Sequence, residues 1–259
     1  MNAMIFAAGL GTRLKPLTDT MPKALVPVAN RPLLQYVLDK LRRAGASDIV
    51  VNVHHFADQI KAYLLDTDVK ISDESSMLLD TGGGLKKAQS LFDNEDPILI
   101  HNVDILSNLD LKKFYDTAKE NEATLVVSWR ETKRYLIFDE SMRLVGWTNI
   151  ETGEVKSPVP EVHQAFNRDY VATGVAYSFA DLVPKPTQYK LLAFAGIHQI
   201  SSSLLSEMDH WPEKFSIIDF YLEQCATHII KGYVQENLKL MDVGKLNILK
   251  EAEEFIKTI

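Results

Sequence analysis

The chain has 259 residues, of which 46% are hydrophobic, and this length and composition are sufficient to bury a substantial core within one domain. Its formal net charge of -7 argues against a nucleic-acid-binding surface, for which a basic face would be expected. The single cysteine, Cys225, excludes an internal disulfide framework and a cysteine-based zinc site.

The N-terminal segment carries the clearest chemical signal in the chain. An apolar run from Met4 to Phe6 predicts a first strand that ends at a glycine turn. Gly9 and Gly11 allow the backbone to approach a ligand closely, and successive N–H groups in such a turn can form an anion-binding nest. Arg13 and Lys23 add a planar fork and a compact positive charge. We therefore predict a phosphate-binding turn.

The spacing of this turn separates it from two well-known glycine loops. A Walker A loop and a dinucleotide-binding fingerprint both require residues that are absent here. The observed pattern is Gly9-Leu10-Gly11-Thr12-Arg13, eight residues, and then Pro22-Lys23. This pattern resembles the sugar-1-phosphate nucleotidyltransferase family. The resemblance implies that Arg13 and Lys23 are catalytic and that the nucleoside triphosphate is bound by Ala7, Ala8, Gly9, Gly11, Thr12, Arg13 and Lys23.

The segment from about residue 30 to residue 101 alternates between helical and strand patterns. We predict that Asn30 caps a helix that begins at Arg31-Pro32 and ends at Gly45. Further segments follow as a strand at 49–53, a helix at 58–65, a strand at 69–71 and a strand at 97–101. Such alternation predicts an α/β fold, a Rossmann-like three-layer sandwich around a mainly parallel, mixed sheet. Ligands of these sheets bind beyond the carboxyl ends of the strands.

A glycine run, Asp80-Thr81-Gly82-Gly83-Gly84, precedes a predicted helix that carries Leu85 and Ala88. Its flexible backbone and the Thr81 hydroxyl are suited to contacting a base or a ribose. The alternative interpretation is a flexible linker. In the resembled family a glycine-rich segment lies against the base, which implies nucleotide contacts for Thr81, Gly82 and Gly83.

Two distant carboxylates are the predicted metal ligands. Asp104 follows an apolar strand, and the resemblance implies that it binds Mg²⁺, although Val103 stands where the family usually has glycine. Asp242, in Met241-Asp242-Val243-Gly244, is implied as the second ligand, and the alternative is that it only caps the C-terminal helix. Two carboxylates suffice, because Mg²⁺ commonly completes its shell with substrate phosphates and waters.

The middle of the chain gives weaker signals. Residues 136–139 and 143–147 predict a hairpin, and residues 149–170 predict a long loop. Gly196 lies in a segment that resembles the family's sugar-binding segment, and with Asn102 it is the predicted sugar contact. We expect one nucleotidyltransferase domain over 1–259, with a nucleotide-binding part at about 1–125, a sugar-binding part at about 126–235 and a C-terminal helix at 244–257.

The resemblance implies a Mg²⁺-dependent transfer between a nucleoside triphosphate and a sugar 1-phosphate. The Thr81–Gly84 run is most similar to short family members that use UTP and N-acetylmuramate 1-phosphate in cell-wall recycling. Alternatives are mannose-1-phosphate guanylyl transfer, phosphocholine cytidylyl transfer and a non-catalytic regulatory subunit that binds nucleotide sugars. No signal peptide or long apolar run is evident. We expect a cytoplasmic monomer or small homo-oligomer without nucleic-acid or membrane partners.

Overall fold

The computed structural model describes residues 1–163, 165–166 and 188–259. Within this part, fourteen strands and seven α-helices of five or more residues with defined bounds follow one another along the chain. The strands are β1 (Asn2–Phe6), β2 (Pro27–Val28), β3 (Arg31–Pro32), β4 (Asp48–Val53), β5 (Lys70–Asp73), β6 (Ile98–Asn102), β7 (Ile105–Ser107), β8 (Ala123–Ser128), β9 (Arg134–Asp139), β10 (Leu144–Asn149), β11 (Glu154–Lys156), β12 (Tyr189–Ile200), β13 (Ile230–Tyr233) and β14 (Leu240–Asp242). The helices are α1 (Leu33–Arg43), α2 (Ala57–Leu64), α3 (Asp80–Ala88), α4 (Leu111–Ala118), α5 (Ser202–Ser206), α6 (Ile217–Gln224) and α7 (Leu249–Ile256).

Ten strands form one mixed sheet, whose continuous path is β11-β10-β9-β12-β6-β1-β4-β5. The four strands β6, β1, β4 and β5 are parallel to one another and form its centre. The long strand β12 runs antiparallel to β6, β8 and β9, and β13 pairs parallel with β8. The predicted α/β fold with a mixed sheet around a parallel centre is confirmed.

The two faces of the sheet are covered by different helices, which gives three layers. Alternate residues of β1 point to opposite faces, so that Ala3 and Ile5 join one apolar cluster and Met4 joins the other. The first cluster includes buried residues of α1, α2 and α4, and the second includes buried residues of α3, α5 and α6. Helices on both faces are the arrangement expected for a parallel sheet that is apolar on both sides.

The predicted cap of the first helix is wrong. Asn30 has φ +62° in the turn between β2 and β3, and α1 begins after Pro32, two residues later than predicted. Arg31 and Pro32 pair with Val28 and Pro27 as a short hairpin instead of entering the helix. The predicted end is confirmed, because Gly45 follows the last turn with φ +93°.

Several elements from the second half of the chain also differ in detail from their predictions. The 136–147 hairpin is confirmed as β9 and β10. The predicted loop at 149–170 contains β11, and residues 160–163 and 165–166 are helical, whereas residues 164 and 167–170 lie outside the described part. The C-terminal helix is shorter than predicted, since a 3₁₀ turn at Leu246–Ile248 precedes α7. None of the described helices has the length and apolar character needed to cross a membrane.

Candidate active site

The glycine turn directly follows β1, and burial and hydrogen bonds fix its backbone. Ala7 and Ala8 are buried, and the Ala7 N–H donates to Oδ1 of Asn52 at 2.8 Å. Gly11 has φ +64°, and the Thr18 hydroxyl donates to its carbonyl at 2.8 Å. A Cβ on Gly11 would lie 2.9 Å from Cγ2 of Thr18, so this position requires glycine for both its backbone angle and its space.

The buried side chains of Asn52 and Glu74 form a hydrogen-bonded pair that holds this loop in place. Asn52, at the carboxyl end of parallel strand β4, donates from Nδ2 to Oε1 of Glu74 at 2.7 Å. The other Glu74 oxygen accepts from the N–H of Leu79 at 3.1 Å. Burial raises the pKa of Glu74, and its hydrogen bonds to Asn52 and Leu79 oppose that rise. Each Asn52 and Glu74 side-chain polar atom therefore has a partner within the protein.

Lys23 and Asp104 form an ion pair at the centre of the site. Lys23 opens a 3₁₀ turn directly after Pro22, and Asp104 follows β6, the strand beside β1. Their side chains are only 13% and 15% exposed, which makes the pair far less screened than a surface ion pair. The turn and the strand end, which are far apart in sequence, thus meet as predicted for one edge of a parallel sheet.

Asp242 is brought to the same place by the last strand. β14 pairs antiparallel with β7, and the Val243 N–H donates to the Asp104 carbonyl at 2.8 Å. Because Asp242 belongs to β14 and the following 3₁₀ turn is capped by Lys245, Asp242 does not cap the C-terminal helix. Arg13 approaches Asp242 with 3.9 Å between Nη2 and Oδ2.

The two carboxylates fit a bound cation. Burial, followed by the charge of Asp104, raises the pKa of Asp242, while Lys23 and Arg13 oppose that rise. Oδ1 of Asp242 is buried without a hydrogen-bond partner among the described residues. A Cβ on Gly244 would lie 2.6 Å from both this oxygen and Nη2 of Arg13, so glycine lets the backbone pass close to these two side chains. A hard divalent cation would bind the unpartnered oxygen and would also offset the repulsion between the Asp104 and Asp242 carboxylates.

These two carboxylates form a pair without a third conventional ligand. Across the described ranges, no group of three or more His, Cys, Asp or Glu side chains is arranged to hold a metal ion. A pair is compatible with Mg²⁺, which usually keeps several waters and uses one or two carboxylates together with substrate phosphates.

Val103 fits its position without strain. It is not among the described residues with positive φ, and its N–H donates to the Phe6 carbonyl at 3.2 Å. Its side chain is buried in the apolar cluster that covers one face of the sheet. The residue before Asp104 therefore does not need glycine in this chain.

The glycine run is helical and packs against the segment before α6. The N–H groups of Gly82 and Gly83 donate to the Phe215 carbonyl at 2.9 and 3.3 Å, and a Cβ on Gly82 would overlap the Phe215 ring. The Thr81 hydroxyl accepts from the N–H of Ile217 at 3.0 Å. The glycines thus allow close helix packing, and among the predicted residues of this run only Thr81 lines the cleft. The alternative of a flexible linker does not hold.

The two predicted sugar contacts lie against each other. Gly196 has φ +72° within an irregularity of β12, where the pairing with β8 shifts register. A Cβ at this position would lie 2.8 Å from Nδ2 of Asn102. Gly196 therefore lets β12 pass directly over the side chain at the end of β6.

Several of these side chains line one cleft of about 400 Å³. Of the predicted residues, the structure brings Gly11, Thr12, Arg13, Gly82, Gly83, Gly196 and Asp242 near the cleft or behind its wall but not into its lining. The sequence interpretation missed Glu74, Asp80 and Lys214, and Glu74 had a usable signal because it directly follows a parallel strand. The lining consists of Phe6, Ala7, Ala8, Gly9, Lys23, Asn52, Glu74, Leu78, Asp80, Thr81, Asn102, Val103, Asp104 and Lys214.

A parallel-centred sheet with a glycine turn and paired charges at one edge is the arrangement of a nucleotide-handling α/β protein. The family model described as nucleotidyl transferase matches residues 2–137. Since this match spans just over half of the 259 residues, the chain belongs to the nucleotidyl transferase family.

Individual relatives carry related descriptions. An N-acetylmuramate alpha-1-phosphate uridylyltransferase of Caulobacter vibrioides is 47% identical over 109 residues, which cover 39% of this chain and 45% of the relative. A mannose-1-phosphate guanyltransferase of Aspergillus oryzae is 36% identical over 136 residues, covering 49% of this chain and 37% of the relative. The chain spans about half the length, or less, of the curated relatives that it matches.

A solved structure agrees over nearly the whole chain. The inositol-1-phosphate CTP transferase from T. maritima superposes with a TM-score of 0.70 at 16% identity, covering 99% of this chain and 94% of that one. At this identity the likeness supports the fold alone.

Proposed function

We propose that this chain transfers a nucleotidyl group from a nucleoside triphosphate to a sugar 1-phosphate, giving a nucleotide sugar and pyrophosphate. The observation that carries the proposal is that the glycine turn and the Lys23–Asp104 pair meet at one cleft, with Asp242 beside Asp104. A sugar 1-phosphate already carries a nucleophilic oxygen at neutral pH, so the reaction needs positioning and charge neutralisation more than a strong base.

The phosphates of the triphosphate are assigned to the turn after β1. Backbone N–H groups from Gly9 to Thr12 and the guanidinium of Arg13 bind the β- and γ-phosphates. Lys23 contacts the α-phosphate and the incoming sugar phosphate, which holds the attacking oxygen in line with the leaving pyrophosphate. The new bond joins the sugar phosphate oxygen to the α-phosphorus, and the bond from that phosphorus to the pyrophosphate oxygen breaks.

Asp104 and Asp242 would hold Mg²⁺, with the unpartnered Oδ1 of Asp242 as the supporting observation. When bound there, the ion supplies charge neutralisation for the phosphate oxygens. The chain's own contribution is to hold both carboxylates through the β14–β7 pairing and to balance them with Lys23 and Arg13.

The opposite end of the cleft is assigned to the nucleoside and the sugar. Thr81 and the wall built by the Asn52–Glu74 pair face the base, and Asn102 beside Gly196 faces the sugar. Lys214, which lines the same cleft, adds a further positive charge to it. The proposed parts of the chain remain about 1–125 for the nucleotide and about 126–235 for the sugar, of which residues 164 and 167–187 are not described.

UTP and N-acetylmuramate 1-phosphate are the substrates that we propose. The support is the 47% identity over 109 residues to the Caulobacter uridylyltransferase. The second candidate is guanylyl transfer to mannose 1-phosphate, favoured by 36% identity over 136 residues to the Aspergillus guanyltransferase.

A pyrophosphate-release assay tests the proposal. The purified protein, with Mg²⁺, is combined with each of the four nucleoside triphosphates and with a panel of sugar 1-phosphates. We expect the fastest release with UTP and N-acetylmuramate 1-phosphate, and none after chelation of the metal. Fastest release with GTP and mannose 1-phosphate would select the second candidate. Nucleotide binding without pyrophosphate release in every combination would overturn the enzymatic proposal in favour of a regulatory binding subunit.

A further inference from the structure

A second cleft, of about 450 Å³, lies beside the candidate active site and has a different character. Arg130, Thr132 and Arg134 line it together with the aromatic side chains of Trp147 and Phe194. None of these residues belongs to the machinery described above. Basic and aromatic side chains around one cavity indicate an organic anion as the occupant.

The residues that line this cleft are neighbours of residues in the candidate active site. Phe194 lies two positions before Gly196, which contacts Asn102, and the Phe194 ring contacts His198 with 5.6 Å between centroids. On the other side, Ser216 and Ile218 line the second cleft, and between them the N–H of Ile217 donates to Thr81 of the first. The second cleft therefore adjoins the candidate active site at two places, through Ile217 and through the β12 segment around Gly196.

Among the described residues, the arginine side chains of the cleft have no acidic partners, whereas its lysine has them. Lys156 pairs with Asp219 at 3.0 Å and with Glu154 at 3.9 Å. In the described part of the chain, neither Arg130 nor Arg134 forms an ion pair. The two acidic groups of the cleft share Lys156, and the three cationic side chains of the lining outnumber these two acidic ones, which leaves the cleft a net positive charge.

Arg130 is held in place while most of its donors stay unused. Its Nη2 donates to the Phe194 carbonyl at 2.8 Å, and its Nε is buried without a partner among the described residues. A guanidinium carries five N–H donors, and a planar fork with free donors matches a carboxylate in a bidentate manner. A dianionic phosphate fits less well than a monoanionic carboxylate, because Glu154 and Asp219 line the same cleft and repel two negative charges more strongly than one.

We infer that Arg130, assisted by Arg134, binds a carboxylate carried by the sugar of the sugar 1-phosphate. This inference rests on the proposed function and specifies its substrate class as acidic sugar phosphates. Trp147, Phe194 and Leu136 supply apolar surface for the carbon atoms that link the carboxylate to the ring.

Two sugar phosphates that differ only in the carboxylate test the inference. N-acetylmuramate 1-phosphate and N-acetylglucosamine 1-phosphate share one ring, and the former adds a lactyl ether that bears the carboxylate. Arg130→Gln is expected to lower the ratio of their kcat/KM values by roughly 10- to 100-fold, the scale of a lost charge-assisted pair. Arg134→Gln is expected to lower it less, because the Arg134 side chain is exposed.

Matched variants separate recognition from folding. Arg143→Gln removes an exposed arginine from the β9–β10 turn and is expected to leave the ratio unchanged. Arg130→Lys keeps the charge without the fork, so a partial loss is expected. If Arg130→Gln unfolds, as judged by circular dichroism, Arg130→Lys and Arg134→Gln decide the question in its place.

Equilibrium binding of the same two compounds is measured by calorimetry in the absence of nucleotide. If no sugar phosphate is turned over, the proposed function fails. The inference is still supported if the wild type binds the muramate compound more tightly than the N-acetylglucosamine compound and Arg130→Gln abolishes this difference. Equal binding of both compounds by the wild type, or equal weakening of both by Arg130→Gln, overturns it.

Discussion

The two sides of the candidate active site differ in how their buried polar atoms are satisfied. On the base side, Asn52 and Glu74 bind each other, Ala7 and Leu79, so that each side-chain polar atom has a protein partner. At the proposed metal position Oδ1 of Asp242, and in the adjoining second cleft Nε of Arg130, are buried without partners in the described part of the chain. Because buried polar groups are normally paired, the satisfied side is a fixed frame, and the unsatisfied side is where we expect ligands to complete the bonding.

The largest expected effect comes from the ion pair between the two sides. Lys23→Ala is expected to lower kcat by roughly 1,000-fold, because it removes a preorganised charge at the reacting phosphates. The measurement is pyrophosphate release at saturating substrates, with circular dichroism to verify the fold. Lys112→Ala serves as the control, since Lys112 is 62% exposed and, within the described ranges, pairs only with Asp116. Near wild-type turnover of Lys23→Ala would refute its assigned role.

Asp242→Asn tests whether the Asp104 and Asp242 carboxylates bind a cation. Turnover is expected to fall about 100-fold, since the metal ion contributes several kcal/mol of charge stabilisation. In thermal unfolding, Mg²⁺ should raise the Tm of the wild type and not that of the variant. Without metal the variant should be at least as stable, because it removes the repulsion from Asp104.

The control for this metal test is Asp116→Asn, which removes an exposed carboxylate paired with Lys112. It should keep the full Mg²⁺-dependent shift in Tm. An equal shift in Asp242→Asn and the wild type would mean that the ion binds elsewhere.

Gly84→Ala probes the satisfied side and has the smallest expected effect. A Cβ there would lie 2.6 Å from Oε1 of Glu74 and 2.9 Å from Nδ2 of Asn52. We expect the free energy of unfolding to fall by about 1–3 kcal/mol, since the overpacking outweighs the helical preference for alanine. Denaturant titration measures it. Gly9→Ala is the matched control for stability, because nothing lies within 4 Å of a Cβ at that position. Unchanged stability of Gly84→Ala would show that the packing around Asn52 and Glu74 can relax, so these side chains would not form a rigid frame.

Much of the fold was predictable, because periodicity and strand-end chemistry are local signals. Buried strand β4 and the stop at Gly45 follow directly from such signals. The cap at Asn30 failed because the pairing of Arg31 and Pro32 with Pro27 and Val28 outweighed local capping preference. The sequence could not indicate this pairing, since two-residue strands carry no periodicity.

The site was predictable where function depends on residue type and harder to predict where it depends on packing. Asp104 and Asp242 were chosen from family spacing, and the structure places them side by side. Gly82 and Gly83 were expected at the nucleotide, but their N–H groups bind Phe215, a contact between distant segments. The lack of an ion pair at Arg130 among the described residues also depends on which distant residues Lys156 engages, so the sequence offered no indication of it.

The pairing of β14 with β7 has a consequence for the order in which the protein is made. Asp104 directly precedes β7 and is synthesised well before Asp242, which belongs to β14. A nascent chain that has folded its parallel centre can already form the Lys23–Asp104 pair. It still lacks the second carboxylate, so the proposed cation site can form only after β14 has been made and has paired with β7.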